Sequence, residues 1–371
     1  MVTILFMRRF LEGFPFMIAR TVLVAVASLC MTFIPVSGAV AQKWSRLAPF
    51  PEPSEELYGI AASGKLYVFG GQSQGWRSHS LVFEYDPATD QWTKKKPMAQ
   101  PLHHVALSET NGKIYVMGGF VSPPDDQRAW APVDNAWEFD PASDTWKALA
   151  PMPSKRGAAV AAVVGGKIYV IGGASTHTGS SETAIRRTPG RPSLHRGVAT
   201  VEEYDPATNT WRERNPMPTA RNHAAVGVVG GKVYVIGGRI GSAFMSTGSN
   251  VDIVEEYDPA ADQWGAIKAP MPTPRSGVAW GVHRGRIYVA GGEVRAYGYN
   301  AAHKAVEAYD PAANRWITLP PMMVQRHGLA GGVIGNRLHL VSGVVQSQSP
   351  LPGTQLATDV HEVLELDARN P

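Results

Sequence analysis

Gly166-Lys167-Ile168-Tyr169-Val170-Ile171-Gly172-Gly173, answered further along by Tyr204-Asp205-Pro206-Ala207-Thr208-Asn209-Thr210-Trp211, is the stretch that decides the fold. Its first half is short, β-branched and aromatic with little polar alternation, as a strand buried on both faces must be. Its second half is a hairpin turn. Proline presets φ at the first corner, and the Asn three residues later accepts the left-handed conformation that sends the chain back. A glycine pair therefore ends one strand, and an aromatic-Asp-Pro turn delivers the tryptophan of another.

The same unit recurs along the chain. Glycine pairs stand at Gly70-Gly71, Gly118-Gly119, Gly172-Gly173, Gly237-Gly238 and Gly291-Gly292, with a worn sixth at Ser342-Gly343. Asp86-Pro87, Asp140-Pro141, Asp205-Pro206, Asp258-Pro259 and Asp310-Pro311 lead into Trp92, Trp146, Trp211, Trp264 and Trp316, always six residues after the aspartate. Each tryptophan lies 27 residues before the second glycine of the next pair, except Trp264, where the step is 28. From that glycine to the aspartate the distance is 15, 21, 32, 20, 18 and 24 residues. A fixed period of this kind means an array of equal supersecondary units. The Trp-to-Gly segment is rigid, and all length variation sits in one loop per unit.

These glycine pairs, aromatic-Asp-Pro turns (Tyr85, Phe139, Tyr204, Tyr257, Tyr309) and tryptophans resemble the kelch repeat, over nearly everything from Lys43 to Asp367. The resemblance implies an all-β fold, a six-bladed kelch-type β-propeller whose four-stranded blades run outward from a central channel. Trp44 precedes Gly71 by 27 residues and so belongs to a fourth strand without its own first three. At the other end Val363-Leu364-Glu365-Leu366-Asp367 supplies a third strand. The last blade is thus expected to be closed by the N-terminal strand, with residues 42–371 forming the propeller.

Residues 1–41 are of a different kind. Val22 to Phe33 is almost wholly apolar, follows Arg20, and leads to Ser37-Gly38-Ala39-Val40-Ala41, whose end is an Ala-x-Ala cleavage pattern. This predicts a signal peptide with a mature start at Gln42, the alternative being an N-terminal membrane anchor. The expected location is periplasmic or secreted. Met17 would give a signal of ordinary length, so Met1, Met7 and Met17 all stand as possible starts. Cys30, the single cysteine, falls inside this segment, which leaves the rest of the chain without disulfide or thiol chemistry. The central domain of galactose oxidase shares the resemblance in its repeats, but its copper site needs a tyrosine crosslinked to a cysteine.

Charge excludes little and suggests little. Removing Arg8, Arg9, Arg20 and Glu12 takes the formal +4 to +2, and no concentrated basic patch marks a nucleic-acid partner. One exception is the 174–200 loop, with Arg186, Arg187, Arg191 and Arg196 beside His177 and His195. It reads as a solvated insertion or as a lid over an anionic ligand.

Candidate site residues follow from the repeat register. Ten residues past the tryptophan, eleven in the longer copy, stand Arg156, Arg221, Arg275 and Arg326, with Leu102 and Ser54 in the other two units. Four guanidiniums at a channel mouth would bind a carboxylate or polyhydroxylated ligand. Alternatively they are structural arginines that hold carbonyls of the neighbouring blade. The residue after each glycine pair (Gln72, Phe120, Ala174, Arg239, Glu293, Val344) faces the same mouth, as do His103, His104, His223 and His327 near the innermost strands. Arg239, His104 and His223 are candidate ligand-binding residues. No ligand string for a metal occurs, so neither metal nor cofactor is expected.

Glu293 with Arg295 is similar to the acid and arginine of exported bacterial kelch propellers of the sialic-acid mutarotase type. That resemblance implies general acid/base work on a sugar ring, with Glu293 moving the proton; the other reading is a surface ion pair. Two functions are therefore expected. The first is an exported, non-catalytic module binding a protein segment or glycan through its loop face. The second is an N-acetylneuraminate-type mutarotase or epimerase acting on an acidic sugar.

Overall fold

Every four-stranded sheet of the chain begins where the sequence turns apolar after a tryptophan-proline segment. The computed structural model describes residues 43–122, 130–176, 195–243, 249–296, 299–347 and 356–366, all within one compact unit, Val40–Pro371. The sequence expectations for residues 1–41, and most of the 174–200 loop, lie outside the described residues.

Six four-stranded antiparallel sheets form the blades. Blade 3 shows the plan: Val160–Val164, Lys167–Ile171, Val201–Asp205 and Thr210–Arg214, each strand paired to the next. The innermost strands of the six blades are Tyr58–Ala62, Ala106–Thr110, Val160–Val164, Ala225–Val229, Ala279–His283 and Ala330–Ile334. Each packs on the next, and that of blade 6 packs back on that of blade 1, so the ring is shut. At that seam a Cβ on Gly59 would stand 2.7 Å from the Gly331 backbone nitrogen. Glycine here is a matter of close approach between two backbones.

Closure is as expected from the repeat count. Trp44–Arg46 pairs antiparallel with His361–Glu365, Trp44 opposite Leu364 and Arg46 opposite Glu362. The outermost strand of blade 6 therefore comes from the start of the propeller and the inner three from its end.

The hairpin motif explains how neighbouring blades are clasped. Asp90, Asp144, Asn209, Asp262 and Asn314 all have left-handed φ, from 47° to 55°. That conformation aims each side-chain oxygen at the backbone N–H of the preceding blade's outer segment: Ala48, Lys96, Ala150, Asn215 and Ala269. The tryptophan indole of the same turn donates to the carbonyl of that same residue, as Trp92 does to Ala48 at 3.0 Å and Trp211 to Ala150 at 2.8 Å. Trp44 makes the equivalent bond to Pro320 across the closing seam. Buried tyrosines Tyr85, Tyr204, Tyr257 and Tyr309 complete the clasp by donating to the Asp or Asn oxygen. One motif thus makes the turn, satisfies its polar atoms, and fixes the next blade.

The variable loops join the second and third strands, and in four blades they are hairpins of their own. These are Gln72–Ser73 with Arg77–Ser78, Phe120–Val121 with Ala131–Pro132, Ala174–Thr176 with His195–Gly197, and Glu293–Ala296 with Tyr299–Ala302. All rise on the face where the chain passes from blade to blade, here called the loop face.

Candidate functional site: a polar cluster on the propeller axis

The chain reaches each innermost strand through two residues that build the loop-face end of the axis. The first pairs by a β-bridge with the residue after the glycine pair: Glu55 with Gln72, His103 with Phe120, Gly157 with Ala174, Asn222 with Arg239, Ser276 with Glu293, and His327 with Val344. The second, one position on, is Glu56, His104, Ala158, His223, Gly277 or Gly328. All six of these have left-handed φ, from 54° at Glu56 to 64° at Gly277. Their backbones form a collar from blade to blade: Ala158 N–H donates to His104 C=O at 2.9 Å, His223 to Ala158 at 3.0 Å, Gly277 to His223 at 3.2 Å and Gly328 to Gly277 at 2.9 Å. Left-handed geometry at a residue with a Cβ costs about 1 kcal/mol or more. Glu56, His104 and His223 carry that cost with polar side chains, in the pattern of strain held at functional positions.

Around this collar the blades bring together a buried set of ionisable groups. Arg239 is 1% exposed and Glu293 3%; Arg239 Nη1 donates to Glu293 Oε1 at 2.8 Å and to Ser276 Oγ at 3.1 Å. Its Nη2 bonds Ala243 C=O and lies 2.9 Å from His223 Nε2. His223 Nε2 must therefore accept, which places its proton on Nδ1, 2.6 Å from Asn222 Oδ1. Burial pushes His223 well below the ordinary histidine range and the Arg239 charge pushes it further. His104 meets His223 edge to face with ring centroids 4.6 Å apart and meets Glu56 Oε2 at 2.9 Å through Nε2. His103 contacts His104 through its Nδ1 and is held well below the ordinary range, first by burial and then by His104. Burial pushes the Glu56 carboxyl up, but its electrostatic interaction and hydrogen bond with His104, with smaller contributions from His327 and Arg239, outweigh it and hold the group at about 2.

The predicted residues thus divide into two groups. Arg239, Glu293, His104 and His223 meet in this cluster. Arg295 lies two residues further along the same hairpin and is partly exposed. Arg156, Arg221, Arg275 and Arg326 are 0–1% exposed, and each is bonded within its own blade. Arg156 pairs with Glu202 at 2.9 Å and donates to Val170 C=O. Arg221 pairs with Glu255 and donates to Val235 C=O, and Arg275 does the same with Glu307 and Val289 C=O. Arg326 pairs with Glu362 and bonds Ser342 C=O. A structural role is the alternative that the sequence left open, but the carbonyls held belong to each arginine's own blade and not to the neighbouring one. Of the 174–200 loop, His195 is buried with Nε2 2.6 Å from Trp130 C=O, and Arg196 is exposed.

Glu55, Glu56, Ser276 and Asn222 were not named by the sequence reading. A signal existed: Glu56, His104 and His223 share one register, two past the recurrent arginine. On the other side of the collar lies a cavity of about 440 Å³, lined by small residues of the innermost strands such as Gly59, Ala161, Gly227 and Gly331, with Tyr58 and Trp280.

Comparison with known proteins agrees with the architecture. The KLHDC2/KLHL20/DRC7 Kelch-repeats domain matches residues 34–185, and Kelch motif families match 155–218, 220–264 and 274–323. The chain is 29% identical to Kelch-like protein terF of Aspergillus terreus over 61% of this chain and 49% of that protein. It is 30% identical to Beta-scruin of Limulus polyphemus (58% and 22%) and 28% identical to human Kelch-like protein 23 (77% and 45%). The chain therefore spans less than half the length of each of these relatives. The solved structure titled "Structure of YjhT" superposes with a TM-score of 0.66 at 18% identity, covering 85% of this chain and 96% of that one. Repeat motif, six closed blades and family matches agree: the chain belongs to the kelch-repeat β-propeller family.

Proposed function

We propose that this protein is an exported kelch propeller that recognises a protein segment through its loop face. The observation that carries the reading is where its exposed apolar side chains lie. Among the described residues the exposed large hydrophobics are Ile240, Ile267, Val282, Tyr299 and Leu356. Ile240, Tyr299 and Leu356 all stand on the variable loops of the adjacent blades 4, 5 and 6. Apolar and aromatic side chains rimmed by polar groups on a rigid scaffold are what a peptide-binding face needs. The kelch relatives are in keeping with a binding module, and a glycan is the other ligand class that such a face could take.

The test is selection of peptides from a display library, with a glycan array in parallel, against the immobilised full-length protein. Affinity for a selected ligand should fall by about tenfold or more in Tyr299→Ala and Leu356→Ser, and stay unchanged in Lys147→Ala on the outer strand of blade 2. Ligands that bind all three variants equally would overturn the reading.

One observation favours a second reading, the N-acetylneuraminate-type mutarotase. Glu293 is buried in an axial cluster with Arg239 and His327, an environment suited to acid/base work rather than to a surface ion pair. Anomer exchange of N-acetylneuraminate followed by NMR decides it. Acceleration that disappears in Glu293→Gln supports catalysis, and no acceleration by the wild-type protein removes it.

A further inference from the structure

Three metal-ligand side chains from two blades, with a further carboxylate beside them, stand at the loop-face end of the axis. Glu55 and Glu56 come from blade 1, Glu293 from blade 5 and His327 from blade 6, and all are buried. Glu55, Glu56 and His327 each offer a ligand atom within 4.8 Å of the others. His327 Nε2 stands 3.9 Å from Glu56 Oε1 and 3.5 Å from Glu293 Oε2. Both separations exceed a hydrogen bond. The His327–Glu56 separation fits the edge of a coordination shell, since two donors each about 2.1 Å from a shared ion in tetrahedral or wider geometry stand roughly 3.4–3.9 Å apart.

Charge points the same way. Three carboxylates are buried around His327. Arg239 is turned to the far oxygen of Glu293, Oε1, and His104 Nε2 to the far oxygen of Glu56, Oε2. Ser347 Oγ donates to Glu293 Oε2 at 3.1 Å and leaves that oxygen facing His327. Carboxylate oxygens buried side by side are costly unless a cation stands among them. A second grouping, Glu56 with His104 and His223, is also close enough for a metal. There the His223 Nε2 lone pair already accepts from Arg239, a cation at the ligand atom itself, so the Glu55 grouping is the better one.

We propose that Glu55, Glu56 and His327, beside the Glu293 carboxylate, bind one divalent first-row metal ion of the zinc or manganese class. Two carboxylates and one imidazole suit such ions better than a thiolate-seeking one. The donors lie far apart in sequence, so no local ligand string could announce them. The inference stands apart from the peptide-binding reading, and its readout is the metal alone.

The experiment uses untagged full-length protein stripped with a chelator, titrated with Zn²⁺ and, separately, Mn²⁺ in a calorimeter. Binding of one equivalent is expected, weakened by about tenfold or more in Glu56→Gln and in His327→Ala, with Lys147→Ala unchanged. Absence of one-equivalent binding, or binding at surface groups that both variants retain, overturns the proposal. Should either variant fail to fold, Co²⁺ added to the stripped wild-type protein decides. A visible ligand-field spectrum that saturates at one equivalent and is displaced by Zn²⁺ supports the site. No such spectrum means that the cluster holds no cation of this class, and the proposal falls.

Discussion

Arg221 and Glu255 show what a recurrent side chain in this protein does. Both are about 1% exposed and paired with each other, and Thr219 Oγ1 holds the other Glu255 oxygen at 2.7 Å. Breaking such a pair leaves a buried charge without its partner and costs about 3–5 kcal/mol, whereas replacing both members with apolar groups restores much of the loss. Arg221→Leu should therefore lower the unfolding free energy by that amount in urea, and Arg221→Leu with Glu255→Leu should recover most of it. The protein itself carries the comparison. Glu202, Glu255 and Glu307 stand two residues before Tyr204, Tyr257 and Tyr309, and the blades that lack the arginine have Phe83 and Trp137 at that register. Sequence separation alone hides the pairs, because the variable loop lies between partners 34 residues apart in blade 4 and 32 in blade 5. The left-handed Asp and Asn of the hairpins were legible for the opposite reason: turn, conformation and residue type lie within a few positions of one another.

At the scale of the element, blade 6 is the one assembled from both ends of the propeller, and it carries its own acid sensitivity. His339 Nδ1 and His361 Nε2 are 3.0 Å apart, and both rings pack on Tyr85 of blade 1. Burial holds His339 down at about 3, with the charges of His361 and Arg337 adding to it. Burial likewise holds His361 at about 4, opposed by its bond to Ala48 C=O. With folded values below the ordinary 6.5, the unfolded chain binds protons first, so stability is present above about 6.5 and lost as pH falls toward 4 and 3. The melting temperature should decline across that window, and the decline should be shallower in His339→Gln. An equal slope in both proteins would show that these rings do not carry the effect. The collar residues Glu56, His104 and His223 belong to this scale as well. Their side chains come from separate blades, so they emerge from the sequence only when the repeats are aligned at the register two past the recurrent arginine.

At the scale of the whole molecule the chain divides its labour between a fixed wheel and one variable face. Six blades, their order and their closure were legible, because each repeat must stack on a neighbour to bury its faces and the count of tryptophans leaves one strand over. Deleting Lys43 to Phe50 removes the outer strand of blade 6, the Trp44 bond across the seam, and Phe50, which packs on Phe83 and Trp92. The melting temperature should fall by about 10 °C or more, far beyond the share of eight residues in the chain; an unchanged value would deny the closure its energetic role. What the wheel presents lies on the loop face, where the hairpins, the exposed Ile240, Tyr299 and Leu356, and the axial cluster come together. The most direct measurement is hydrogen exchange of the full-length protein with and without a selected peptide. The account predicts new protection confined to the loop-face segments around residues 239–243, 293–302 and 356–358. Protection centred instead on the opposite face, at the turns near Gly64, Gly112 and Gly285, would contradict it.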